Sequence, residues 1–163
     1  MAVYHDFLFV DEKNDRLIEE INLEEDFYDY INENIECDSD SYLYNLVPII
    51  NSSYVEKPYG NIIPKDKGLD YTGISVVNHY GFDCLTKMLL EWIAVLEKLD
   101  GEYYYPDLIG LTEAELANMS VDELEELKEA YFVKSEVMKK LQTCVNYLAT
   151  FDSPDYVVHY QGI

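Results

Sequence analysis

The chain has 163 residues, 48% of them hydrophobic, and carries 33 Asp and Glu against 11 Lys and Arg, for a formal net charge of −22 at pH 7. That length predicts a single domain over residues 1–163, and apolar residues spread along it supply a core, which argues against intrinsic disorder. The charge excludes direct binding to nucleic acid or an anionic membrane, because phosphate recognition needs Lys and Arg to displace counterions. It favours a basic protein partner, steered over a Debye length of about 8–10 Å.

Val3 to Val10 is aromatic and β-branched, and the polar run Asp11 to Asp15 reads as a turn, so the first element is a strand. Arg16 to Ile21 fits either a returning hairpin strand or the start of a helix. Asn22 with Glu25 three residues later resembles a capping box, and Leu23, Phe27, Ile31 and Ile35 recur at i+4, which predicts an amphipathic helix over 23–36. From Cys37 to Asp70, Pro48, Pro58, Gly60, Pro64 and Gly68 punctuate short apolar pieces, as in loops around one or two short elements. Tyr71 to Val77 reads as a strand, Asn78 to Gly81 as a turn, and Phe82 to Leu99 as the central core helix. Two further capping boxes follow, Thr112 with Glu115 and Ser120 with Glu123; the second is expected to open a long helix through Leu124, Leu127, Tyr131, Leu141, Val145 and Leu148. Pro154 precedes a last short strand, Tyr156 to Tyr160. The order predicts an α+β fold: a small, mainly antiparallel sheet packed by several amphipathic helices, including a long C-terminal one.

Catalytic signatures are missing from the sequence. It contains no Gly-rich phosphate loop, no GxSxG elbow and no HExxH, and His5, His79 and His159 stand apart from one another. Among them His79, at a strand end, is the best placed for chemistry. Cys37, Cys84 and Cys144 are odd in number and form no CxxC, so neither a disulfide framework nor a zinc site is expected, which suits a reducing cytoplasm. Cys84 near a helix start is a candidate for a lowered thiol pKa, weighed against its apolar surroundings. Asp38-Ser39-Asp40-Ser41 begins like a calcium loop, but Leu43 and Ile49 stand where Gly and Glu are required. No metal or cofactor is expected. Neither a basic leader nor an apolar run near 18 residues occurs, so neither export nor a membrane span is expected.

The carboxylates carry the functional signal. Thirteen of them lie between Asp11 and Asp40, against Lys13 and Arg16, so half the net charge sits in thirty residues. Glu25, Asp29 and Glu33 fall at i, i+4 and i+8 on one helix face. The turn rise of about 5.4 Å is close to the phosphate spacing of a nucleic-acid strand. A plain solvated face is the simplest account of such a run. Uncompensated charge repels itself, however, and tyrosines between the acids suit an anchored contact surface. The predicted partner-binding residues are Glu24, Glu25, Tyr28, Asp29, Tyr30, Glu33, Glu36, Asp38 and Asp40.

The stretch Gly68-Leu69-Asp70-Tyr71-Thr72-Gly73-Ile74-Ser75-Val76-Val77, leading into an apolar helix, resembles a strand-to-helix unit of the small acidic immunity proteins of bacterial toxin systems. That resemblance implies a cytoplasmic, non-catalytic α+β protein that neutralises one cognate toxin by tight binding. The expected function is inhibition of a basic partner, a nuclease toxin above all, by an acidic surface that imitates nucleic acid. Alternatives are a phage-encoded mimic directed at a host defence or transcription protein, an enzyme with a carboxylate and His79 site, and an adaptor with a tyrosine-rich surface.

Overall fold

The computed structural model describes residues 4–36, 39–104, 112–123 and 132–162. The apolar run Phe7 to Val10 lies within β1 (Tyr4–Asp11), which turns through residues 12–15 into β2 (Arg16–Glu24). The ambiguous segment after the turn is therefore a hairpin strand. A β-bulge between Phe9 and Val10 shifts its register, so that Phe7 pairs with Ile21 and His5 with Leu23 on the inner face, while Val10 meets Leu17 on the outer one.

Helix α1 (Glu25–Asn34) begins where β2 ends. The expected capping box does not form, because Asn22 is still in the strand and its side-chain amide donates to Asp6 Oδ1 at 2.7 Å. Glu24 occupies the N-cap position with no side-chain cap bond, so the helix is shorter at both ends than the periodicity suggests. After a single 3₁₀ turn at residues 43–45, β3 (Pro48–Ile49) pairs with β4 (Asp66–Lys67). Strand β5 (Ile74–Val77) runs straight into α2 (His79–Glu97). The predicted turn between them is one residue, Asn78, whose side chain accepts from the backbone N–H of Tyr80 at 3.2 Å.

Strand β6 (Tyr103–Tyr104) precedes α3 (Glu113–Ala117), and both reciprocal capping boxes form: Thr112 with Glu115 and Ser120 with Glu123. The single long helix expected from Ser120 does not. Phe132–Val133 is a strand, β7, paired with Tyr103–Tyr104, and the long C-terminal helix α4 begins only at Lys134 and ends at Thr150. Leu124, Leu127 and Tyr131 lie outside the described residues.

The last strand, β8 (Tyr156–Gly162), enters the middle of the sheet, whose order is β2-β1-β8-β5 with every pairing antiparallel. Gly162 is required there, since a Cβ would lie 1.7 Å from the Tyr71 carbonyl oxygen. The inner face of the sheet presents Phe7, Phe9, Ile21, Leu23, Val158 and Tyr160 to Leu85, Met88, Leu89 and Trp92 of α2 and to Leu141, Cys144 and Leu148 of α4, all buried. Burying side chains of this size contributes roughly 1.5–3 kcal/mol each. On the outer face Ile50, Tyr59, Val76 and Val157 make a second, smaller cluster. No described helix is long and apolar enough to cross a membrane.

Candidate partner-binding surface

Helix α1 is amphipathic, and its two faces have separate roles. Phe27, Tyr28, Tyr30 and Ile31 are buried, while Asp29, Glu33 and Glu36 are exposed and Glu24, Glu25 and Asp26 are half-buried. Acids in the first turn suit the positive end of the helix dipole. The pattern corrects two of the expected contact residues. Tyr28 is 1% exposed and stacks on His5 with ring centroids 3.7 Å apart, and Tyr30 is 6% exposed with its hydroxyl donating to the Val95 carbonyl at 3.0 Å. Both are core residues that fix α1 to the sheet and to α2, and neither is offered to a partner.

What remains on the surface is the row Glu25, Asp29, Glu33. Tyr71, between β4 and β5, donates its hydroxyl to Glu25 Oε1, and Tyr104 in β6 donates to Glu33 Oε2 at 2.8 Å. Burial first, and then the neighbouring carboxylates, raises the pKa of both phenols, and the Asp29 carboxylate acts on each of them. They therefore stay protonated and keep donating. A phenol holds a carboxylate in one rotamer without cancelling its charge, whereas a lysine in the same place would neutralise it. From Leu17 to Glu56 the chain contains no Lys or Arg. Among the described residues, the Lys or Arg ion pairs are Arg16–Asp11 at 3.8 Å and Lys57–Asp15 at 3.9 Å, both at the β1–β2 turn. Of the remaining expected contacts, Glu36 follows the C-terminal end of α1, Asp40 is exposed before the 3₁₀ turn, and Asp38 lies outside the described residues.

The base of this row reaches into the core. His5 Nε2 lies 3.0 Å from Glu25 Oε2 and Nδ1 lies 2.6 Å from the Tyr160 hydroxyl, which is in turn 2.9 Å from the Tyr44 hydroxyl. Burial lowers the His5 pKa, so the ring is neutral at pH 7. A neutral ring satisfies both neighbours in one direction only: Tyr44 donates to Tyr160, Tyr160 to Nδ1, and Nε2–H to Glu25. The strand alternation with Phe7 and Phe9 gives the inward direction of His5, but its partners are 20 and 155 residues away and carry no local signal.

The residues considered for chemistry are placed elsewhere. His79 is the first residue of α2 with its ring 4.1 Å from that of Tyr80, and no described carboxylate hydrogen-bonds to it. Burial raises the Cys84 thiol instead of the helix start lowering it, and pushes Cys144 up to about 12. Neither is an activated nucleophile. Compared with known proteins, the chain matches no protein-family model, no curated protein and no solved structure.

Proposed function

We propose that the protein is a non-catalytic, cytoplasmic inhibitor of the immunity type, which binds a basic partner, a nuclease toxin in the first place, and occludes its nucleic-acid groove with the acidic face of α1. The observation carrying this reading is the oriented carboxylate row Glu25, Asp29 and Glu33, with tyrosine hydroxyls supplying hydrogen bonds at both ends and no positive charge. Three carboxylates one helical turn apart, about 5.4 Å, present to a basic groove nearly what successive phosphates present. The negative field sets the association rate, and apolar contacts at the centre of the interface set the dissociation rate.

The test has two stages. Affinity capture from the source cell, washed in salt steps from roughly 0.1 to 1 M, is run beside an acidic protein of matched charge. The retained basic protein is then mixed with the wild type and with an Asp29→Lys, Glu33→Lys variant in stopped flow. These two side chains are exposed, so the variant keeps the fold. The expected result is an association rate lower by about tenfold or more at low salt, with the difference shrinking as salt rises. An unchanged association rate rejects α1 as the contact surface, and capture of nothing beyond the control rejects the basic partner.

A further inference from the structure

Strand β2 is an edge of the four-stranded sheet, and nine residues make it long for an edge, about 30 Å at 3.3 Å per residue. The opposite edge is treated differently: β5 has four residues, and Ile50 closes it with two backbone bonds to Val76, at 2.8 and 3.3 Å. Among the described residues, no backbone N–H or C=O of Leu17 to Leu23 hydrogen-bonds outside the ladder with β1. Proteins usually guard such an edge with charge. Here the guard has one sign, since Glu19, Glu20 and Glu24 face only Arg16 at the start of the strand. A second copy of the chain would set these acids against their own kind and bring a charge of −22 to another −22.

Beside this edge the outer face of the sheet is open. A pocket of about 560 Å³ is floored by Leu8 and Val10 of β1, Leu17 of β2 and His159 of β8, and walled by Pro58 and Tyr59. Leu17 is 50% exposed in it, and its margin carries Glu12 and Asp15 together with Arg16, which pairs with Asp11, and Lys57, which pairs with Asp15. The attraction for a cationic segment therefore comes from the acids along β2, and the pocket itself takes the apolar side chain. Its volume falls in the range of pockets that hold a small organic group.

We propose that the outer edge of β2 and this pocket together take an extended, Lys- or Arg-rich segment of a partner protein as an added strand, with one apolar or aromatic side chain seated in the pocket. Strand addition draws its affinity from main-chain hydrogen bonds and its selectivity from pockets that accept alternate side chains. On this edge, a residue opposite Leu17 on the outer face reaches the pocket, and residues opposite Glu20 and Glu24 meet carboxylates. The same acids that repel a second copy attract this segment. The inference stands on the sheet edge and the pocket, so it and the reading of α1 can each fail alone.

The probe is a short synthetic peptide of Lys, Thr and Val with a single Phe, compared with a twin N-methylated at alternate amides, which keeps every side chain and charge but loses backbone donors. Binding is followed by calorimetry and by amide hydrogen exchange on the full chain. The expected result is slowed exchange at alternate amides of Leu17 to Leu23 and binding of the twin weaker by about tenfold or more. Leu17→Lys, which puts a like charge in the pocket, and Glu20→Lys, which removes an attraction, are each expected to weaken the peptide several-fold with unchanged circular dichroism. Asp29→Lys with Glu33→Lys is expected to leave slowed exchange in β2. Equal binding of the twin, protection confined to α1, self-association of the chain through β2, or no binding of the peptide would each overturn the proposal.

Discussion

The tyrosines set a limit on the alkaline side. Tyr28, Tyr44 and Tyr160 are 1%, 7% and 0% exposed, and burial raises the pKa of all three, that of Tyr44 to about 12. A group whose folded pKa lies above its unfolded value contributes stability that is complete below the unfolded pKa, about 10 for tyrosine, and is lost as pH rises beyond it. Above pH 10 the unfolded chain releases three protons that the fold retains. The slope is about 1.4 kcal/mol per pH unit for each ring, or about 4 kcal/mol per unit for the three. For as long as all three stay protonated in the fold, two pH units remove about 8 kcal/mol, which is comparable with the whole stability of an ordinary domain, about 5–15 kcal/mol. The assay is a pH titration from neutral to strongly alkaline, with phenolate absorbance and far-ultraviolet circular dichroism recorded on the same sample. The expected result is a first rise in phenolate absorbance with the helix signal intact. A steep second rise then comes together with loss of that signal between about pH 11 and 12. Tyr44→Phe removes one of the three contributions and makes the alkaline limb shallower. Smooth titration of every tyrosine through one ordinary transition, with the fold surviving it, would refute the reasoning.

Two further perturbations are tied to single contacts. His5→Leu leaves Tyr160 and Glu25 each one partner short, at about 1–3 kcal/mol per buried group, and is expected to lower the urea midpoint accordingly. His5 also sets an acid limit: burial lowers its pKa and that of His159, so as pH falls below about 6.5 the unfolded chain takes up protons first and stability declines, a slope that His5→Gln should reduce when midpoints are compared on either side of that pH. At the backbone, Gly162→Ala and Gly60→Ala would each place a Cβ 1.7 Å from a carbonyl oxygen, of Tyr71 and Pro154 respectively, and should destabilise by more than about 2 kcal/mol. Gly101→Ala, with φ +85° and nothing within 4 Å of the new Cβ, should cost only about 1 kcal/mol, and thermal melts rank the three.

Where local pattern and local cause coincide, the sequence predicts the structure. The apolar stripe Leu85, Met88, Leu89, Trp92 and Leu96 is the core face of α2, and the boxes Thr112/Glu115 and Ser120/Glu123 close as their spacing requires. The same spacing misleads at Asn22/Glu25, because Asp6 on the neighbouring strand takes the Asn22 amide and β2 continues to Glu24. It misleads again after Ser120, where Phe132 and Val133 leave the helical pattern to pair with Tyr104 and Tyr103. Tyr28 and Tyr30 look like surface anchors because they alternate with acids. Helix α1 lies against both the sheet and α2, so its buried side is wide enough to take in Tyr28 over His5 and Tyr30 under Val95 as well. In each case a contact distant in sequence decides the outcome, and no window of ten or fifteen residues contains it.

The abundance of tyrosine and the shortage of cations have a common explanation. A chain with 33 carboxylates and 11 Lys and Arg cannot hold its acids in place with ion pairs. Half-buried carboxylates still need donors, since an unsatisfied one near the core carries a desolvation penalty. Among the described residues phenols meet that need at two half-buried carboxylates, Tyr147 donating to Glu19 and Tyr71 to Glu25, and Tyr104 orients the exposed Glu33 in the same way. Each ring packs against apolar neighbours, as Tyr147 does against Phe9 and Tyr104 against Tyr30 and Phe132, so the donor arrives on a side chain already fixed by the core. Orientation is gained without loss of negative field. In a protein selected for stability alone, lysines at these positions would relieve the repulsion on α1 and β2. Phenols at these positions leave the charge in place on α1 and β2, the two surfaces on which the proposed basic partner depends.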